Sequence, residues 1–326
     1  MNRAFAGRWL PYVVPVSLLV AAALLVALQA SRPLAVLDMW RPWGEIGALA
    51  VVMTAIILTG GIDLSVGSIV ALSSVVMGLT WQAGWSLGTS MATGLLAGLA
   101  AGVTNGTLVV IGIAPLVVTL ATMASFAGLA MALSRGERIA GLPEQFAALG
   151  QASWWGVPTQ FMLFVLVGVA GWCVVHHTRY GRYLYAIGEN REAAKFAAVP
   201  VRMVQWSLYT ASGAVAALVA VVYTARGGAV VPTAGAGLEL PTIACVVVGG
   251  TRVTGGRGGI GRTLTGVAIL SLLDIGLQFL SGDVRVPWSD VPWRFSANTR
   301  LLLIGLLVIG VAVWNERATR QAATTT

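Results

Sequence analysis

Few residues in this sequence could do chemistry, and the densest group is Gly60-Gly61-Ile62-Asp63-Leu64-Ser65-Val66-Gly67-Ser68. It places one carboxylate, two hydroxyls and three glycines inside a long apolar run. An ionisable group at membrane depth is costly and faces protein or a water-filled cavity, so it reads as functional. Helix-breaking glycines there let irregular backbone line a polar space. The alternative is that Asp63 lies in a turn outside the hydrocarbon and caps the next helix through Ser65 and Ser68. Spacing leaves both readings open. Further along, Gly94, Gly98, Gly102 and Gly106 repeat every four residues and form a smooth face for close helix packing in lipid. Asn105, at the edge of that face, either bonds a neighbouring helix or meets a solute. Thr119 and Thr122 follow Pro115 and, three apart, share a helix face.

Other patterns carry less. Gly256-Arg257-Gly258-Gly259-Ile260-Gly261-Arg262-Thr263 matches the phosphate loop G-x-x-x-x-G-K-[ST] except at Arg262. An apolar run follows it instead of a soluble βαβ unit, so its context rejects nucleotide binding. His176 and His177 diverge if helical, and no third ligand follows at metal-binding spacing. Cys173 and Cys245 lie in apolar runs without a CxxC pair and read as packed thiols. No HExxH or paired-carboxylate arrangement marks an enzyme. No metal or cofactor is expected on this chain.

The elements that must position these residues follow from composition. Of 326 residues, 57% are hydrophobic and 10% charged, with a mean hydropathy of +0.84. Soluble domains carry about 25% charged residues, so the sequence describes an all-α polytopic membrane protein. At roughly 20 residues per span the chain holds about ten. The polar-enriched segments 135–160 and 176–205 are too short for a core of their own, which leaves a single transmembrane domain over 1–326. A net charge of +8 does not point to nucleic acid, because the arginines form no cluster and no aromatic ladder accompanies them.

In chain order, Arg3 and Arg8 precede an apolar run at 13–30. It is long for a signal peptide and leads into further spans, so it reads as the first helix with an inside N-terminus. Apolar runs at 44–59, around 69–81, across the glycine stripe, from Pro115, and at 161–175, 206–224, 241–248, 264–280 and 301–314 complete ten. Twelve Lys and Arg then fall on inside segments and eight on outside ones, in agreement with the positive-inside rule and with both termini cytoplasmic. The glycine-broken segments at 60–68 and 249–262 fall one in each half of the chain. Paired interrupted helices of this kind point to a transport pathway.

These residues resemble the ribose-type permease subunits of bacterial ABC sugar importers. The resemblance runs from about Gly44 to Trp314 and rests on Gly60 through Ser68, Asn105-Gly106, Pro115 through Thr122, Ala186 through Ala194, Val248 through Thr251 and Gly255 through Gly258. It implies a pore-forming subunit of the inner membrane, paired with a second permease chain, two cytoplasmic ATPase subunits that use ATP and Mg, and a periplasmic solute-binding protein. It also implies that Tyr180 to Arg202 is the cytoplasmic coupling loop that docks into the ATPase. Gly188, Glu189, Asn190, Arg191, Glu192, Ala193, Ala194 and Lys195 would meet it: small residues enter a groove and charged ones reach its rim.

The sequence departs from the family at Arg262, usually glycine, and at Asp274, usually asparagine. Asp274 falls in an expected span, where it would pair with an arginine or line the path. Asp63, Ser65, Asn105, Thr119, Thr122 and Asp274 are the pathway candidates. The solute class implied by the resemblance is a monosaccharide or furanosyl autoinducer; parts of 180–250 look most like the rhamnose and autoinducer branches. The alternative is an ion-coupled secondary transporter of a small polar solute, for which Asp63 and Asp274 would be the coupling carboxylates.

Overall fold

A computed structural model describes residues 39–279, the strand pairs 283–284 and 293–294, and helical positions 302, 305–306 and 309–310. The expected first helix at 13–30 lies outside the described residues, as does most of the expected last one at 301–314.

The fold is built around α1, Arg41–Leu58. Pro42 suits its first turn, where the missing N–H costs nothing. At its far end Gly60 adopts φ +78, and the Gly60 and Gly61 amides return to the carbonyls of Ile57 and Ile56. Glycine stands there because other residues resist that left-handed backbone. α1 is apolar on nearly every side and buried along nearly its whole length, as a helix surrounded by others must be. Leu49, Met53, Ile56 and Ile57 have no exposed surface.

Around it stand α2 (Val66–Gln82), α3 (Leu87–Val110), α4 (Pro115–Leu133), α6 (Thr159–His177), α9 (Val201–Gly227), α10 (Glu239–Val248) and α11 (Ile260–Phe279). α6, α9, α10 and α11 pack on α1, while α2, α3, α4 and α9 form a second, adjoining group. Six of these helices, α1, α3, α4, α6, α9 and α11, are long and apolar enough to cross a membrane; α2 and α10 are shorter apolar helices. α4 and α6 leave most of their surface outward, and that surface is apolar, with Leu116, Leu120, Val165 and Leu166 exposed.

The glycine stripe of α3 faces α9 and α2. A Cβ on Gly102 would lie 2.9 Å from the Gly213 Cα, one on Gly98 2.6 Å from the Ser73 hydroxyl, one on Gly106 2.7 Å from the Trp206 carbonyl and one on Gly94 2.8 Å from the Ser73 carbonyl. Only hydrogen fits at these crossings.

The polar segments hold short helices and no core of their own. Residues 135–160 contain α5 (Glu144–Gln151) and a two-stranded hairpin, β1 (Ser153–Trp154) with β2 (Val157–Pro158). Residues 176–205 contain two short helices, α7 (Arg179–Glu189) and α8 (Arg191–Phe196), with α9 already under way at Val201.

Candidate functional site

Asp63 sits in the break between α1 and α2 with no exposed surface. Its Oδ1 accepts from the Ser65 amide at 2.9 Å and from the Ser65 hydroxyl at 2.6 Å. Its Oδ2 accepts from the Ser212 hydroxyl of α9 at 2.7 Å. Asn105 of α3 donates its side-chain N–H to Ser65 Oγ at 2.7 Å. Thr119 of α4 donates to the Ile62 carbonyl at 3.1 Å. One carboxylate and its short loop therefore tie together α2, α3, α4 and α9. Both carboxylate oxygens are thus partnered, as they must be where an unpartnered buried polar group costs about 1–3 kcal/mol and a charged one more, whereas Asn105 Oδ1 has no partner among the described residues.

The capping alternative is not realised. Ser65 occupies the N-cap of α2 but its side chain makes no cap bond, having turned to Asp63, and Ser68 donates to the Ser65 carbonyl at 2.8 Å. Thr122 lies one turn beyond Thr119 and bonds the Val118 carbonyl of its own helix at 2.9 Å. Asp274 stands apart, toward the other end of α1, where it accepts from the Trp43 indole at 3.2 Å and from Gln278 at 2.9 Å. Asp63, Ser65, Asn105 and Thr119 are thus brought together; Asp274 is not one of them.

Two features escaped sequence reasoning. Ser212 shows in sequence only as a small polar residue in an apolar run. Glu45 is the lone acid of its run, and Arg226, 181 positions away, grips it with two bonds of 2.9 Å. An ion inside a span demands a partner, so Glu45 could have been singled out, though not its mate. Nearby, Arg41 donates to the carbonyls of Gly150 at 2.9 Å and Gln151 at 2.8 Å, fixing α5 to the start of α1.

The segment singled out for coupling lies at the opposite end of α1. Thr178 caps α7 by accepting from the Gly181 amide, and Asn190 caps α8 by accepting from the Ala193 amide; both residue types are suited to that role. Leu184, Ile187 and Ala194 are buried and anchor the two helices. Tyr180 meets the Ser207 hydroxyl at 2.7 Å, and burial raises its phenol above the ordinary range, so it stays neutral. Arg191 donates to Gln205 at 2.8 Å. Glu189, Asn190, Arg191, Glu192, Ala193 and Lys195 are exposed. So is Phe196, at 92%.

This segment sits against both backbone breaks at once. Gly256 donates its amide to the Leu58 carbonyl at 3.0 Å, joining the end of α1 to the glycine-rich turn after α10. Gly188 is pressed against both of those groups, with no room for a Cβ. Tyr185 donates to the Gly258 carbonyl at 3.1 Å. The phosphate-loop lookalike is part of this joint. Its Gly256 amide serves Leu58, and the Arg262 and Thr263 amides return to Gly259, so these three N–H groups are already bonded within the chain.

Fold and site together define a multi-pass helical membrane protein with a polar clasp in one break and a short-helix segment wedged under two. Residues 44–312 match the model of the family described as branched-chain amino acid transport system / permease component, and the chain belongs to that family. It is similar to the ribose import permease protein RbsC of Bacillus subtilis (strain 168), 42% identical over 252 residues, 76% of this chain and 78% of that protein. The autoinducer 2 import system permease protein LsrD of Photorhabdus luminescens is 33% identical over 275 residues, 82% of this chain and 80% of that protein. RbsC of Escherichia coli (strain K12) is 38% identical over 237 residues, 71% and 74% of the two chains. These likenesses place the chain in the ribose-type branch of ABC importer permeases and in the inner membrane. No solved structure matches it.

Proposed function

We propose that this chain is the permease subunit of an ATP-driven, binding-protein-dependent importer for a monosaccharide or sugar-like solute: ribose, rhamnose, another aldose or a furanosyl autoinducer. The observation that carries the reading is the joint at Leu58, Gly188 and Gly256. Short helices α7 and α8 lie outside the helix bundle yet bear directly on the ends of two bundle elements. A push on them is delivered to α1 and to the turn before α11, and so becomes rigid-body rocking of packed helices.

In this reading 1–326 is one transmembrane domain of ten spans with both termini inside, the runs at 13–30 and 301–314 adding to the spans described. A second permease chain, identical or related, completes the pore. ATP and Mg are used by separate cytoplasmic ATPase subunits gripping the exposed residues from Glu189 to Ala193 and Lys195, with Phe196 as an apolar knob at the edge of that surface and Gly188 and Ala194 facing the chain itself. A periplasmic protein delivers the solute, so the permease needs only loose, replaceable hydrogen bonds. Asp63, Ser65, Asn105, Thr119 and Thr122 belong to the wall of the pathway, where the clasp holds the helices whose tilt opens and closes it. Asp274 braces α11 against α1 at the other end of that wall.

The test is a pull-down in mild detergent from cells expressing the whole operon, followed by assay of the purified complex for solute-stimulated ATP hydrolysis. An ATPase and a binding protein should co-purify, and one sugar should stimulate. Uptake that persists without any ATPase partner and collapses with the proton gradient would establish the ion-coupled alternative instead.

A further inference from the structure

One apolar groove lies clear of both the clasp and the contact of Leu58, Gly188 and Gly256. Between α6 and α11 runs an apolar groove of about 430 Å³, bounded by Trp40 and Phe161 at one end and by Trp172 and Leu264 at the other. Gly168 lies in its floor, where an added Cβ would meet only Leu264, at 3.9 Å. Both helices are long and apolar enough to cross a membrane, and the groove opens among the outward-facing Val165, Val169 and Trp172. From Phe161 to Trp172 a helix rises about 16 Å, close to half the hydrocarbon thickness of about 30 Å. The groove is therefore long enough to receive most of an acyl chain.

Its Trp172 end is polar and basic. His176 stacks on the Trp172 ring with centroids 4.1 Å apart, and Gly261 closes on the same ring from α11. The next residue, Arg262, is exposed and spends one N–H on the Gly250 carbonyl at 3.3 Å. This is the arginine that stands where the phosphate-loop pattern has lysine.

We propose that the groove holds an acyl chain of an anionic phospholipid whose headgroup is met by Arg262 and His176. An aromatic at the interface with a cation beside it is the arrangement that headgroups favour, and the negative surface of the cytoplasmic leaflet draws juxtamembrane arginines. The leaflet assignment rests on the permease reading, because it takes the α7 end as cytoplasmic.

The full chain, reconstituted in an equal mixture of phosphatidylglycerol and phosphatidylcholine and then extracted in mild detergent, tests this by quantifying retained lipid. The wild type should retain phosphatidylglycerol in excess. Arg262→Gln should lower that excess about fivefold, as the loss of one cation near an anionic surface implies. Arg262→Lys should preserve it, and Gly168→Leu should lower retention of both lipids. Equal retention of the two lipids, or an excess unchanged in Arg262→Gln, overturns the proposal. So does an efficient disulfide between Val165→Cys and a cysteine placed in 13–30, which would show that the chain fills its own groove. Solute-coupled ATP hydrolysis measured on the same preparations reports separately on the permease reading.

Discussion

The Gly256 amide donates to the Leu58 carbonyl at 3.0 Å, so the end of α1, just ahead of its glycine break, is bonded to the glycine-rich turn in the other half of the chain. Gly188 of α7 is pressed against both groups of that bond. α7 is thus in direct backbone contact with the end of α1.

Gly188→Ala tests this contact. The new methyl would overlap backbone atoms of both Leu58 and Gly256, and backbone cannot swing aside as a side chain can. Overpacking of this kind costs about 1–3 kcal/mol. The expected outcome is permease present in the membrane at reduced amount, with uptake per molecule down at least about tenfold, a barrier change of 1.4 kcal/mol. Uptake per molecule equal to wild type would show that the joint transmits nothing.

Substitutions on the outer side of α8 should separate assembly from folding. Phe196 is 92% exposed among the described residues, so Phe196→Ala should leave thermal stability nearly unchanged. If it is an apolar anchor for the ATPase, its removal costs about 2 kcal/mol of binding or more, read as a co-purified ATPase fraction reduced by about thirtyfold in affinity. Glu189→Arg and Glu192→Arg should uncouple uptake from hydrolysis by placing like charges where complementary ones are needed. Coupled transport at wild-type rates in all three would remove the docking role.

The clasp makes a prediction about stability. Asp63→Ala strands the hydroxyls of Ser65 and Ser212 and the Ser65 amide in a buried place. At about 1–3 kcal/mol for each unsatisfied group, the detergent-solubilised protein should melt several degrees lower. Ser212→Ala removes one donor and leaves the carboxylate with the other two, so its loss should be smaller. A melting temperature unmoved by Asp63→Ala would mean that the four helices do not depend on that carboxylate.

Glu45 and Arg226 should behave as one unit. Arg226→Met leaves a buried carboxylate without its counter-charge, at a cost of about 3–5 kcal/mol. Glu45→Gln with Arg226→Gln removes both charges and should recover much of that loss. The check is a double-mutant cycle on thermal stability; additive effects would contradict direct pairing, because only coupled residues depart from additivity.

Much of this was legible along the chain. Apolar runs of spanning length placed α1, α6, α9 and α11 to within about a turn and a half of their observed ends, and Pro115 marked the start of α4, since burial in lipid or among helices imposes the same hydrophobic demand on every turn. The left-handed backbone at Gly60 was signalled by the glycine pair, and the four-residue stripe on α3 marked a close crossing. Asp63 stood out because an acid in an apolar run is expensive and therefore needs a reason. α5 and the β1–β2 hairpin were less visible: they hold only a few residues each, and no periodic pattern survives over so short a length.

The chain by itself determined the class of protein, the approximate spans and the residues that had to be explained. Which residues explain one another was settled only by tertiary structure. Ser212 reaches Asp63 from 149 positions away, Arg226 reaches Glu45 from 181, and Gly256 bonds Leu58. A sequence records that a buried charge or an open carbonyl needs a partner, but its supply of suitable donors exceeds the demand. The choice among them is made by how the helices pack, and that depends on side-chain volumes summed over the whole bundle rather than on any local pattern.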